Sequence, residues 1–220
     1  MDAERFTIAF VTGVTLSRWA SAWQERHASV PLGFLPTVEG DQLAALLAGE
    51  ADVAFVRLPI DGDGLSVIPL YAEQPMVVAQ KGHAIEATDA VTLADLDGEL
   101  RADESLSPAD AVELIAAAGG IVLLPQSVAR LTARKDVVAR PVTDAEETRI
   151  ALVWRADETP PEIEEFVGIV RGRTANSSRS AQPEPVADKK AAPKKAPPKP
   201  ATKKAKAITG RTRPRKPRRR

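Results

Sequence analysis

The side chains best equipped for chemistry in this 220-residue chain are cations gathered at one end. From Thr174 to Arg220 there are 16 Lys and Arg against 2 Asp and Glu. Lysines come in pairs separated by Ala and Pro, Lys189-Lys190, Lys194-Lys195 and Lys203-Lys204, with Lys199 and Lys206 alongside. The end is denser still, with Arg211, Arg213, Arg215, Lys216, Arg218, Arg219 and Arg220. Ammonium and guanidinium groups at this spacing neutralise phosphates and release the counterions condensed on nucleic acid. Such binding is mostly non-specific, with a Kd of about 10⁻⁴ to 10⁻⁶ M at physiological salt and a log–log salt slope near −0.9 per phosphate engaged.

Elsewhere the residue types that usually carry reactions are scarce. There is no cysteine, which excludes disulfides, thiolate metal sites and cysteine nucleophiles. The two histidines, His27 and His83, lie far apart with no triad or metal spacing, and His83 is read as structural or exposed. Asp61 and Asp63, in DGDG, suit a turn better than a calcium loop, which needs regularly spaced oxygens and a distal Glu. No P-loop and no G-x-G-x-x-G after a strand is present. The expectation is a protein that binds rather than catalyses, with no metal and no cofactor.

The elements that must hold any binding residues are legible from apolar periodicity. Phe6 to Val11 (FTIAFV) is a buried-strand run, after which Leu16, Trp19, Ala20 and Trp23 recur at helix spacing. Leu32 to Leu35 is a second strand. Gly40-Asp41 is expected to open a helix with Leu43, Leu46 and Leu47 inward, stopped at Gly49, before the strand Ala51 to Leu58. Strands alternating with helices predict βαβ units and a parallel sheet covered on both faces. Further strands are expected at Ser66 to Tyr71, Met76 to Gln80, Ile121 to Leu124, Asp136 to Val142 and Arg149 to Trp154. Helices are expected at Thr92 to Leu96, Pro108 to Ala118, after Pro125, and from Pro160-Pro161 with Ile163, Phe166, Val167 and Val170 inward.

At Arg173 the composition changes. Up to that residue there are 14 basic and 28 acidic side chains, so the zero net charge of the chain hides an acidic body and a basic tail. The tail holds eight prolines and almost no apolar residue other than Ala, too little to offset the cost of ordering its backbone, so disorder is expected from 174 to 220. The body is large enough to bury a core without covalent staples. No leader and no apolar run of about 20 residues is seen, and a cytoplasmic, nucleoid-associated location is the expectation.

In order and spacing the body resembles the effector-binding domain of LysR-type transcriptional regulators. The resemblance rests on FTIAFVTGVTLSRWASAWQERH, LAALLAGEADVAFVRLP, GLSVIPLYAEQPMVVAQKGHAIEATDAVTLADL, AAAGGIVLLPQSVA and ETRIALVWRADETPPEIEEFV, from Phe6 to Val170. It implies an α/β, two-lobed fold of the type 2 periplasmic-binding-protein kind. Lobe one would comprise about 4–80 and 143–173, and lobe two about 81–142. The family's winged helix-turn-helix has no counterpart before Phe6, and the short stretch after Leu96 implies a reduced second lobe.

A cleft between lobes would take its ligand at strand C-terminal ends. That implies effector contacts from Thr12, Gly13 and Thr15 after strand one, Glu39 and Asp41 after strand two, and Arg57 after strand three. The threonine hydroxyls would hold a carboxylate and Arg57 would pair with it; the alternative is that the threonines cap the first helix. The tail resembles those of linker histones and Lys-rich nucleoid proteins, and Arg213-Pro214-Arg215-Lys216-Pro217 is similar to an AT-hook core without its central glycine. Together these imply a LysR-like regulator or nucleoid accessory that binds a small effector and touches DNA through its tail. The alternative is a stand-alone small-ligand-binding or protein-interaction module that pairs with full-length regulators, with the tail incidental; homodimers are the other pairing expected.

Overall fold

A computed structural model describes residues 5–157 and 159–173. Strand β1 (Phe6–Val11) leads into helix α1 (Ser17–Arg26), then β2 (Leu32–Thr37), a short helix α2 (Ala44–Leu47) and β3 (Val53–Leu58). Next come β4 (Leu65–Glu73) and β5 (Pro75–Gln80), then α3 (Pro108–Ala118), β6 (Ile121–Pro125), α4 (Gln126–Leu131), β7 (Val137–Pro141), β8 (Thr148–Arg155) and α5 (Pro161–Val170). The tail cations lie outside the described residues.

These strands form two sheets. The first has the order β2-β1-β3-β8-β4 and the second β6-β5-β7. In the first, β1 is parallel to β2 and β3, as expected of βαβ units, but β8 runs antiparallel to both β3 and β4. The parallel arrangement expected of the first three strands is present, and β8 and β4 extend it as antiparallel strands. A strand arriving from the second lobe enters beside β3 from the opposite direction, and no local pattern in its own residues records that. The second sheet is wholly antiparallel.

Both faces of the first sheet are covered, and the side-chain period of two divides its strands between two cores. On one face Phe6, Ile8, Val53, Phe55, Ile150 and Leu152 meet α1 and α5 through Trp19, Trp23, Ile163 and Phe166. The aromatic rings stack there, Phe6 on Trp23 at 4.6 Å and Trp19 on Phe55 at 4.7 Å. On the other face Ala9, Ala54, Val56, Ala151 and Val153 pack on Leu46 of α2. Double-sided burial is why these strands read as unbroken apolar runs. In the second lobe Val78 meets Val112 and Ile115 of α3 and Val128 of α4, while Val77 and Ala79 face Ile85 and Leu96.

Three local expectations change. The helix expected from Gly40 begins instead as a 3-10 turn, Glu39–Asp41, with α2 confined to Ala44–Leu47. Between the two, the buried Gln42 side chain bonds the backbone of Arg57. Residues 75–80, placed in lobe one from the sequence, form the central strand of the second sheet. Only Gln74 separates β4 from β5, so the chain changes sheet within one residue, too sharply for composition to mark. Glu73, the last residue of β4, lies opposite Thr148, the first of β8. Finally, neither Thr12 nor Thr15 caps α1, whose N-cap is Leu16 with no side-chain capping bond.

Candidate functional site

Arg57 is a guanidinium in a strand otherwise built for burial, and it is 2% exposed. A charge taken that far out of water needs partners for its donors. Nε and Nη2 both donate to Oε2 of Glu73, at 3.0 and 2.9 Å. Nη1 donates to Oε2 of Glu39 at 3.2 Å, and Nη2 also donates to the carbonyl of Thr12 at 3.2 Å. Glu73 is itself 5% exposed, whereas the Glu39 side chain is 62% exposed. One cation thus ties together the ends of β1, β3 and β4 and the turn after β2.

Beside this cluster a cavity of about 750 Å³ opens between the two sheets. Its lobe-one wall is Val11, Thr12, Val38, Glu39 and Gly40, with Thr148 from β8. Its lobe-two wall is the segment from Arg101 to Pro108, where α3 begins, together with Ala111, β6 from Val122 to Pro125, and Val128. The floor is apolar and the rim polar, an arrangement suited to enclosing a small molecule of mixed character. At the α3 N-terminus Ser107 Oγ accepts from the Asp110 N–H at 3.2 Å and donates to the Asp110 carboxylate at 2.6 Å. The side chain of Ser105, and then its N–H, which donates to Asp103 at 2.8 Å, hold the Asp103 carboxyl below the usual range.

The model of the LysR substrate binding domain family matches residues 2–100 and 104–175. The chain belongs to that family. It is 29% identical over 178 residues to the HTH-type transcriptional regulator BudR of Raoultella terrigena, a match covering 66% of this chain and 60% of that protein. The chain therefore spans about 60% of the length of this curated relative. Among solved structures, full-length CbnR complexed with its target DNA aligns with a TM-score of 0.65 at 18% identity, covering 77% of this chain and 70% of that one. The BenM effector binding domain with its effector benzoate aligns at 0.64 and 23% identity, covering 76% and 90%. At these identities the structural likeness speaks for the fold, two-lobed and α/β.

Within this LysR substrate-binding domain the six residues singled out from the sequence divide into groups. Thr12 and Glu39 line the cavity. Arg57 sits behind them, with four of its five N–H donors used as described. Gly13 is a contact between lobes: with φ +97°, a Cβ there would come 2.3 Å from Oγ of Ser127. Thr15 and Asp41 are exposed and are not among the lining residues. Sequence reasoning missed Glu73, Gln42, Ser105, Ser107 and Thr148. Glu73 had a signal, since an Arg inside the run ADVAFVRL requires a buried carboxylate somewhere.

The histidines are structural. His83 Nδ1 accepts the Ile85 N–H at 3.3 Å and Nε2 lies 3.2 Å from Glu99. His27 stacks on Trp23 with ring centroids 4.3 Å apart. Asp61 accepts the N–H of Asp63, as a turn residue does. Among the described residues no group of three or more His, Cys, Asp or Glu could hold a metal, and no helix is long and apolar enough to cross a membrane.

Proposed function

We propose that this chain is the ligand-sensing part of a transcription regulator, with a small effector held in the cleft between the lobes and DNA contacted by the basic tail. The observation that carries the first half is the cavity of about 750 Å³ walled by strand ends on one side and by the start of α3 on the other. Thr12 and Glu39 would touch the effector directly. Gly13 and Arg57 would act from behind, by setting the approach of the lobes and the position of the wall, while Thr15 and Asp41 would meet a ligand only at the mouth.

The second half is supported by the 16 Lys and Arg from Thr174 onward, too many for solubility alone to require. Phosphate neutralisation by such a segment supplies affinity without base readout, which suits a nucleoid accessory as well as a regulator. The test is a titration of the full chain and of a Met1–Arg173 truncation against duplex DNA at several salt concentrations. Binding by the full chain alone, with a steep salt slope, supports the reading; equal retention of both chains, or of neither, refutes it. Stabilisation of the truncation by a bound effector checks the cleft separately.

A further inference from the structure

Two devices at this cleft that would welcome an anion already hold a carboxylate of the chain itself. The guanidinium of Arg57 is taken by Glu73 and Glu39. The N-terminus of α3, whose free N–H groups and dipole favour negative charge, is occupied by Asp110 in its first turn, braced through Ser107. Among the described residues Arg101 alone brings a positive charge to the lining, and the lining also carries the acidic side chains of Asp103 and Glu104.

What remains for a ligand is acidic. The lining carries Glu39, Asp103 and Glu104 against Arg101. Glu39 gives Oε2 to Arg57 and has Oε1 without a partner among the described residues. Around it lies a body with twice as many acidic as basic side chains, whose field draws cations toward the cleft and repels anions. Its floor, Val11, Val122, Leu124 and Val128, offers apolar surface but no compensating charge.

We infer that the effector of this cleft is an organic cation, an ammonium or amidinium on an apolar body, whose charged end meets Glu39 and whose body lies on the β6 and α4 floor. This rests on the cleft being the effector site, and it reverses the carboxylate expected from Thr12, Thr15 and Arg57.

The test uses the full chain and matched ammonium, alcohol and carboxylate compounds on indolyl, phenyl, cyclohexyl and adamantyl skeletons. Affinity is measured by calorimetry at low salt, and location by amide shifts at Thr12 and Ser105. At least one ammonium should bind about 10-fold more tightly than its alcohol and carboxylate counterparts, in line with a charge pair in a partly desolvated site. Glu39→Gln should bring the ammonium down to the affinity of its alcohol counterpart, a response that carboxylate binding by the tail would not produce. A carboxylate binding most tightly with cleft shifts, or no dependence on charge, would overturn the inference and leave the effector site standing. No cleft shift from any member of the panel would overturn both.

Discussion

The side chain of Gln42 serves Arg57 as a strand neighbour would: Nε2 donates to the Arg57 carbonyl at 2.8 Å, and Oε1 accepts the Arg57 N–H at 2.7 Å. The register of β1 with β3 ends at Phe55, so the backbone at Arg57 has no strand on that side, and a buried amide fills the gap. Gln42→Leu removes both bonds and leaves two buried backbone groups unpaired, which costs about 2–4 kcal/mol at roughly 1–2 kcal/mol each. Denaturant unfolding should show the midpoint falling with an unchanged slope.

Breaking the Arg57–Glu73 pair from one side should cost more than removing it whole. Arg57→Met strands a buried carboxylate and is expected to lose about 3–5 kcal/mol, whereas adding Glu73→Leu replaces the ion pair by packing and restores most of it. Arg57→Lys should not restore it, because an ammonium cannot present the planar fork that holds Glu73 and Glu39 together. A double-mutant cycle on unfolding free energies measures the coupling.

Tyr71 is the only tyrosine in the chain, so tyrosinate absorbance reports on one residue. Burial and the charge of Glu73 push its phenol up from 10.0, with Arg57 pulling the other way. Glu73→Gln should therefore lower the absorbance midpoint. Because the folded value lies above the unfolded one, the associated stability is complete below the unfolded pKa and is lost as pH rises through the folded pKa. Alkaline unfolding of Tyr71→Phe should lack that loss.

Gly120 has φ +93°, and a Cβ there would stand 2.5 Å from the carbonyl oxygen of Leu100. That carbonyl is fixed by the Ile121 N–H at 2.8 Å, so it cannot yield as a flexible side chain would. Gly120→Ala should lower stability by about 1–3 kcal/mol or more, with loss of amide protection concentrated at Leu100–Ala102, where the lobe-two wall of the cleft begins.

Much of the lobe-one core was legible because burial on two faces leaves long apolar strings, and Trp19 and Trp23 in α1, like Ile163 and Phe166 in α5, recur at helix spacing beneath them. The antiparallel entry of β8 was not, since strand order is a property of the whole sheet. The cleft was half legible. Thr12 and Glu39 follow strands, where ligands gather, but Ser105 and Ser107 sit in a stretch whose sequence reads only as a turn before a helix. Gln42 left no trace, for a polar residue between Asp41 and Leu43 looks like any solvated helical position until the backbone it serves is in place.

Because Glu73 and Thr148 face each other at the ends of β4 and β8, those two strands form an ordinary hairpin, and everything between them, from Gln74 to Glu147, is its loop. The second lobe is in that sense an insertion into a turn of the first. A two-residue Asn-Gly link from Glu73 to Thr148 would close the same hairpin directly, and the five-stranded sheet with its aromatic layer would be left as a smaller fold without the second sheet.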